Sequence, residues 1–194
     1  MDTRAFRLPW PAGLRLFEVD AAEIFEHKEA VLRRLDARPA CHRQTVVVTR
    51  DGSFARRLQR KGFDPAQKTA FLVGSLQYLT DAAAERTLRE ISALASGGSW
   101  MGLALVSRAT LASVFMKIFF DKLESLGLPP WTFGVDDPDE WLNRFGWEAD
   151  TWVAGDPAVS YGRWPYGYIP KGTPGVPRTF LTHAWKRADA VTTV

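Results

Sequence analysis

The first half of the chain alternates short apolar runs with amphipathic stretches in which apolar residues recur every three to four positions. The apolar runs predict strands and the amphipathic stretches predict helices. The strands cover about residues 14–19, 45–48, 69–76 and 100–106, and the helices about 22–36, 53–61 and 81–96. Strands that alternate with helices favour an α/β fold, in which a parallel sheet carries helices on both faces.

The second half of the chain has a different pattern. It predicts a long amphipathic helix at about 108–126 and a short helix at about 138–145. Residues 147–153 and 178–186 read as a closing antiparallel strand pair. The Gly-, Pro- and Tyr-rich segment 154–177 between them predicts a long loop, and such loops in compact domains are usually lids or flexible excursions.

Length, composition and charge limit the classes of function. A chain of 194 residues with 46% hydrophobic residues is long enough for one substantial core, so we expect one domain, 1–194. Residues 1–107 form its α/β part, and residues 108–177 form a substrate and lid part with closing strands to residue 187. The net charge of +3 comes from scattered basic residues, which argues against a nucleic-acid partner.

The cysteine and tryptophan content narrows the setting further. Cys41 is the only cysteine, which excludes an internal disulfide and suits a reducing compartment. No stretch has the apolar core of a signal peptide or the roughly 20 apolar residues of a membrane span, so we expect a cytoplasmic protein without a membrane partner. Six of the eight tryptophans fall in the last third, which predicts an aromatic core or an aromatic pocket there.

Five segments carry a family resemblance. They are "DTRAFRLPWP" (2–11), "LFEVDAAEIFEHKEAVL" (16–32), "GFDPAQKTAFL" (62–72), "YLT" (78–80) and "YGRWPYGYIPKGTPGVPRTFLTHAWKR" (161–187). Together they resemble the leucine carboxyl methyltransferase-like family of class I S-adenosylmethionine-dependent methyltransferases, in particular its actinobacterial branch. The resemblance implies a Rossmann-like class I methyltransferase fold with an aromatic lid.

The same resemblance suggests how a cofactor would be held. It implies that Glu18 or Asp20 takes the ribose hydroxyls, a role that suits a carboxylate at a strand end. The alternative is a capping box, with Asp20 as N-cap and Glu23 as the third helical residue. The opening segment resembles the stretch that follows the glycine-rich turn of the family, so we expect the usual first strand and that turn to be missing.

Two internal stretches depart from the family pattern. Where the family has Val-Asp-Leu beside the adenine, this chain has Val48-Thr49-Arg50, and an arginine cannot accept a hydrogen bond. Where the family has Ala-Glu-Gly near the methyl-transfer centre, this chain has Val73-Gly74-Ser75. These departures predict a degenerate cofactor site, with no cofactor needed or, if activity survives, S-adenosylmethionine.

The missing strand has a structural consequence. In this fold it lies between the strands at 14–19 and 69–76, and unpaired buried backbone groups are costly. The two flanking strands could pair directly, a homodimer or a heteromeric partner could lend a strand, or the natural protein could be longer.

The aromatic residues of the second half predict a pocket for a small hydrophobic molecule. We expect its walls to comprise Tyr78, Phe115, Phe119, Trp131, Trp164 and Tyr166. The candidate catalytic residues are Arg163, Tyr161 and His183: an arginine among aromatic rings suits a carboxylate or enolate, and a histidine suits a general base. The alternatives are aromatic packing, a salt bridge from Arg163 to Asp136 or Asp156, and a buried structural histidine.

These observations predict a methyltransferase-fold protein of secondary (natural product) metabolism that has lost methyl transfer. It would bind a small hydrophobic substrate and catalyse a cofactor-independent cyclisation, rearrangement or elimination by holding a reactive conformer. One alternative is a working O-methyltransferase that acts on a carboxylate or hydroxyl. The other is a non-catalytic partner of a full-length methyltransferase.

Overall fold

The computed structural model describes residues 2–48 and 53–187, and the chain forms two compact units, residues 1–64 (unit 1) and 65–194 (unit 2). Unit 1 consists of α1 (Arg4–Arg7), β1 (Arg15–Asp20), α2 (Ala22–Arg34), β2 (His42–Val47) and α3 (Ala55–Arg60). Strands β1 and β2 run parallel, and their register pairs Asp20 with Val47. The crossover helix α2 is what allows this parallel pairing, because a tight turn cannot connect parallel strands.

Unit 2 contains four strands, five helices and two short 3-10 turns among its described residues. They are β3 (Ala70–Val73), the turn Leu76–Tyr78, α4 (Asp81–Leu94), β4 (Trp100–Val106), α5 (Arg108–Ala112), the turn Val114–Met116, α6 (Lys117–Ser125), α7 (Pro138–Asn143), β5 (Trp147–Val153), α8 (Pro157–Ser160) and β6 (Thr179–Lys186). The strand order is β3-β4-β6-β5. Strand β3 is parallel to β4, whereas β6 is antiparallel to both of its neighbours. The predicted α/β class and the closing antiparallel pair are confirmed.

The core of unit 2 follows from the alternation of side chains along its strands. Met101, Leu103 and Leu105 are buried on one face of β4, and Phe180 is buried on the neighbouring β6. Trp147 is fully buried and donates its indole N–H to Ser92 Oγ at 2.8 Å, which ties β5 to α4. A buried indole N–H usually finds such an acceptor.

The long helix predicted at about 108–126 is interrupted. Ser113 has extended backbone angles (φ −75°, ψ 127°), and its hydroxyl accepts the N–H of Phe115 at 3.2 Å. Because a serine side chain can cap the following turn, it competes with continuation of the helix. The strand predicted at 69–76 is also shorter than expected, since β3 ends at Val73.

Each of the two strands that flank the expected gap is bonded on one side. In the described part of the chain β1 pairs with β2, and β3 pairs with β4. A direct pairing of the two flanking strands, one option from the sequence, is not among these ladders.

Candidate functional site

The carboxylate of Asp20 lies at the carboxyl end of β1 and is exposed. Its Oδ1 accepts the backbone N–H of Ala21 at 2.8 Å. Helix α2 has Ala21 as its N-cap, without a side-chain cap. The alternative of a capping box formed by Asp20 and Glu23 is therefore wrong, and the Asp20 carboxylate has room for a further donor.

Glu18, the other predicted ribose ligand, is occupied by two cations. Its Oε2 lies 2.6 Å from Lys28 Nζ and 2.7 Å from Arg43 Nη2, and its side chain is only 11% exposed. Arg43 also pairs with Glu29 at 2.6 Å, which makes a cluster of four charged side chains. Burial disfavours the ionised form of Glu18, but hydrogen bonds from Arg43 and Lys28 outweigh it and hold the pKa below its ordinary value. Glu18 thus serves an internal ion cluster through its Oε2, and its assignment to the ribose stays a prediction.

Residues 73–75 include no acidic side chain. Val73 ends β3, Gly74 and Ser75 follow it, and a side-chain Cβ placed at Gly74 would have no atom within 4 Å. The backbone at this position can therefore be approached closely. Thr49 and Arg50, the other departure from the family pattern, lie outside the described residues.

Unit 2 contains a cavity of about 260 Å³. Twelve residues line it: Thr110, Met116, Trp131, Val153, Ala154, Trp164, Gly167, Ile169, Val176, Pro177, Arg178 and Thr179. Most of these side chains are apolar, and nine of the twelve residues come from the loop between β5 and β6 or its edges. The predicted loop therefore forms a wall of the cavity.

Trp131 stands at the centre of an aromatic cluster beside this cavity. Its ring lies 4.9 Å from that of Phe119, 5.9 Å from that of Phe120 and 6.1 Å from that of Tyr78. These contacts are edge-to-face, the arrangement that aromatic pairs prefer. Among the described residues, the buried Nε1–H of Trp131 has no acceptor.

Arg178 anchors the loop from the side of β6. Its residue is 8% exposed, and its guanidinium donates to the carbonyl oxygens of Ile169 (3.0 Å), Pro170 (2.6 Å) and Thr173 (3.1 Å). Its backbone N–H donates to Thr110 Oγ1 at 2.8 Å. One side chain thus connects the loop to the start of the final strand and to α5.

The predicted pocket residues are only partly brought together. Trp131 and Trp164 line the cavity, and Tyr166 packs on Trp164 with ring centroids 5.3 Å apart. Phe119 and Tyr78 contact the ring of Trp131 but do not line the cavity themselves. Phe115 is 88% exposed and does not belong to the pocket, because the break at Ser113 redirects the chain.

The three candidate catalytic residues do not converge on the cavity lining. Tyr161 is 82% exposed, and Arg163 is exposed and forms no ion pair in the described part of the chain. Both expected acceptors are otherwise engaged: Asp136 accepts the N–H of Arg108, and Asp156 accepts that of Ala158.

His183 lies between two indole rings. Its ring centroid is 5.2 Å from that of Trp100 and 5.6 Å from that of Trp185. Its Nε2 is buried without a partner in the described residues. Among the described residues no side chain is hydrogen-bonded to the ring, so both the structural role and the general-base role of His183 stay predictions.

Sequence reasoning missed Arg178 and Thr110. The only signal for Arg178 is its position between Pro177 and the apolar final strand, where a charged residue at a strand start is unremarkable. Its role depends on carbonyl groups five to nine residues earlier in an irregular loop. No pattern of side chains predicts where such carbonyls point.

Among the described residues, neither a metal-ion site nor a membrane-spanning helix is present. No group of three or more His, Cys, Asp or Glu side chains could hold a metal ion. No helix there has the length and apolar character needed to cross a membrane.

Comparison with known proteins relates this chain to a methyltransferase family. Residues 1–92 match the family model described as leucine carboxyl methyltransferase. Over these residues the chain resembles the leucine carboxyl methyltransferase family. The resemblance in the sequence is thereby confirmed.

Relatives of this chain occur in actinobacteria. A candidate S-adenosyl-L-methionine-dependent methyltransferase of Frankia alni is 39% identical over 165 residues, which are 84% of this chain and 56% of that protein. Another, of Streptomyces avermitilis, is 41% identical over 165 residues, 84% of this chain and 57% of that protein. The chain spans little more than half the length of these relatives.

The fold also matches a solved structure. A S-adenosylmethionine-dependent methyltransferase from Methanosarcina mazei superposes with a TM-score of 0.55 at 12% identity, over 91% of this chain and 84% of that chain. The fold is that of the class I methyltransferases, as the sequence predicts.

Proposed function

We propose that this chain takes part in the transfer of a methyl group from S-adenosylmethionine to a carboxylate or hydroxyl oxygen of a small apolar molecule. The observation that carries the proposal is the open Asp20 carboxylate at the end of β1. It stands in a chain about 40% identical to two relatives named as candidate S-adenosyl-L-methionine-dependent methyltransferases.

The described residues fit this cofactor in part. Asp20, at the end of β1 in unit 1, would accept hydrogen bonds from the two ribose hydroxyls. Lys28 and Arg43 contact Oε2 of Glu18, which leaves Asp20 as the more accessible carboxylate. The cofactor supplies a methyl carbon made electrophilic by its positively charged sulfur. The cavity in unit 2 would hold the apolar body of the acceptor molecule and exclude water from it.

Calorimetric titration of the whole chain with S-adenosylmethionine and S-adenosylhomocysteine tests the proposal. We expect binding in the micromolar range. Asp20→Asn should weaken it by about 10- to 100-fold, because hydrogen bonds to a charged acceptor contribute roughly 1.5–3 kcal/mol. Glu26→Gln, an equivalent change at an exposed position of α2, should leave binding unchanged. A folded wild-type chain that binds neither ligand would refute the proposal.

A second candidate is cofactor-independent chemistry of natural product metabolism, such as a cyclisation, rearrangement or elimination. It is favoured by the use of Glu18 in an internal cluster and by the lack of a carboxylate on residues 73–75. Such a reaction needs a shaped apolar site and few polar groups. It predicts that the folded chain binds apolar molecules but not the cofactor.

A further inference from the structure

Arg178 is the one ionisable side chain that lines the cavity of unit 2 among the described residues. The residue is 8% exposed, and its guanidinium donates to the carbonyl oxygens of Ile169, Pro170 and Thr173. No carboxylate in the described part of the chain pairs with it. Carbonyl oxygens carry only a partial charge, and a buried charge without a counter-charge is costly.

Arg43 in unit 1 shows how the same chain pairs another buried arginine. Its side chain is 9% exposed, and it lies 2.7 Å from Glu18 and 2.6 Å from Glu29. Buried charges in proteins are ordinarily paired in this way. Arg178 is similarly buried but has only neutral partners among the described residues, which favours a bound anion as its counter-charge.

The guanidinium of Arg178 also keeps hydrogen-bond donors for such an anion. A guanidinium has five N–H donors. Nη1 donates to one loop carbonyl and Nη2 to two, so the Nε–H and the second Nη1–H have no acceptor among the described residues. Nε of Arg43 is completely enclosed without a partner, but Nε of Arg178 is not. The Nε–H of Arg178 is therefore accessible, and an anion can bind it without displacing a loop carbonyl.

The rest of the wall suits an apolar body with one negative charge. Met116, Val153, Ile169 and Val176 line the cavity, and no acidic residue is part of the described lining. One cation balances one carboxylate, whereas a phosphate ester carries about 1.5–2 negative charges at neutral pH. The volume of about 260 Å³ is below the roughly 300–1,000 Å³ of pockets for drug-sized molecules, so the ligand is small.

We propose that this cavity binds a small apolar monocarboxylate, whose carboxylate pairs with the guanidinium of Arg178. The apolar body contacts the remaining wall, and the carboxylate supplies the counter-charge. The ligand is identified with the methyl acceptor of the proposed function, and only that identification rests on it. The carboxylate serves for recognition, whichever oxygen of the molecule accepts the methyl group.

The experiment compares four probes that share a phenylalkyl body, by ligand-observed NMR titration at pH 7. The probes are 4-phenylbutanoate, 4-phenylbutanamide, 4-phenylbutylammonium and 3-phenylpropyl phosphate. We expect 4-phenylbutanoate to bind about 10-fold or more tightly than its neutral amide, because a hydrogen-bonded ion pair is stronger than a hydrogen bond to a neutral acceptor. The ammonium probe should bind most weakly, since it places a second cation beside Arg178.

Three results with the wild-type chain would overturn the proposal. They are equal binding of 4-phenylbutanoate and its amide, tightest binding of the phosphate ester, and binding of none of the probes. These comparisons stand without any variant.

Variants test whether Arg178 recognises the carboxylate. Arg178→Gln removes the charge and should bring the affinity ratio of 4-phenylbutanoate to its amide close to one. Arg178→Lys keeps the charge but loses the fork that holds the loop, so it should weaken both probes while the carboxylate stays preferred. Arg89→Gln, the same change at an exposed arginine of α4, should leave the ratio unaltered. A preference for the carboxylate that persists in Arg178→Gln would place the anion site elsewhere.

A second pair of variants tests whether the probes enter the cavity. Ala154→Leu should fill part of the cavity and weaken all the probes that bind, whereas Ala158→Leu, at an exposed position of α8, should not. Circular dichroism of each variant shows whether it is folded. Unchanged binding by folded Ala154→Leu would contradict the cavity as the site.

The outcomes separate this proposal from the proposed function. The probes need no cofactor, and the calorimetric titration needs no probe. A chain that binds S-adenosylmethionine but none of the probes would refute the ligand assignment alone. A chain that binds 4-phenylbutanoate through Arg178 but not S-adenosylmethionine would refute methyl transfer and keep the cavity assignment.

Discussion

Glu18 and Lys28 form a buried ion pair, with Oε2 and Nζ 2.6 Å apart, that connects β1 to the crossover helix α2. The two side chains are 11% and 6% exposed, and Arg43 on β2 contacts the same carboxylate oxygen. Breaking a buried pair by removing one partner is strongly destabilising, because the remaining charge has lost both water and its counter-charge. This cluster therefore holds β1, α2 and β2 together.

The first prediction concerns the lysine of this pair. Lys28→Met should lower the free energy of unfolding by about 3 kcal/mol, near the low end of the range for buried pairs, because Arg43 still faces Glu18. Urea titration followed by circular dichroism measures the change. Lys61→Met, the same substitution at an exposed position of unit 1, should have little effect. Similar losses in both variants would show that the buried pair has no special role.

The second prediction concerns acid. The pKa of Glu18 is below its ordinary value of 4.5, since hydrogen bonds from Arg43 and Lys28 outweigh the effect of burial. A lowered folded-state pKa means that the ionised carboxylate stabilises the protein above about pH 4.5, and that this contribution is lost as the pH falls through the folded-state value.

The urea midpoint should therefore fall further between pH 7 and pH 3 for the wild type than for Glu18→Gln, because the glutamine cannot titrate. The comparison between the two proteins removes the contribution of other carboxylates. If both proteins lose the same stability on acidification, Arg43 and Lys28 do not lower the pKa of Glu18.

The third prediction concerns the loop anchored by Arg178. Arg178→Lys keeps the charge but loses the planar guanidinium fork that reaches three carbonyls. Trypsin cleavage after Arg163 and Lys171 within the loop should accelerate by about ten-fold or more, because one hydrogen bond from a charged donor contributes roughly 1.5–3 kcal/mol. Fragment masses over time give the rates.

Arg187→Lys is the control for this experiment, because Arg187 pairs with Glu148 outside the loop. Both substitutions keep the number of trypsin sites unchanged. Unaltered cleavage of the Arg178→Lys loop would show that the loop is held by other contacts.

The fourth prediction concerns the packing of Trp164 on the turn at Gly155. Gly155 has φ +91°, and a Cβ there would lie 2.5–2.9 Å from three atoms of the Trp164 ring. Gly155→Ala should therefore destabilise unit 2 by roughly 1–3 kcal/mol, through backbone strain and displacement of the ring. In thermal unfolding, each kcal/mol corresponds to about 2–4 °C for a chain of this length.

Gly167→Ala provides the comparison, since a Cβ at Gly167 would meet no atom within 4 Å and the residue does not have positive φ. It should change the melting temperature little. A melting temperature for Gly155→Ala equal to that of Gly167→Ala would contradict the contact with Trp164.

Local patterns predicted the strands and their order in sequence well. The run Trp100–Val106 is a strand with the predicted bounds, and its buried residues alternate, because side chains on a strand point to opposite faces. The helix at 108–126 was predicted as continuous from its apolar face, but Ser113 interrupts it with a hydrogen bond that the apolar pattern does not encode.

The sequence alone determined the fold class, the family and the aromatic character of the second half, because apolar periodicity and short motifs are local properties. Only the tertiary structure decided how the chemically important side chains are used. Glu18 and Asp20 are two residues apart on one strand and look equivalent, yet Lys28 and Arg43 fold onto one and leave the other exposed. Arg178 acquires its role from loop carbonyls and Trp131 from rings on other elements, because contacts between distant residues exist only after the chain has folded.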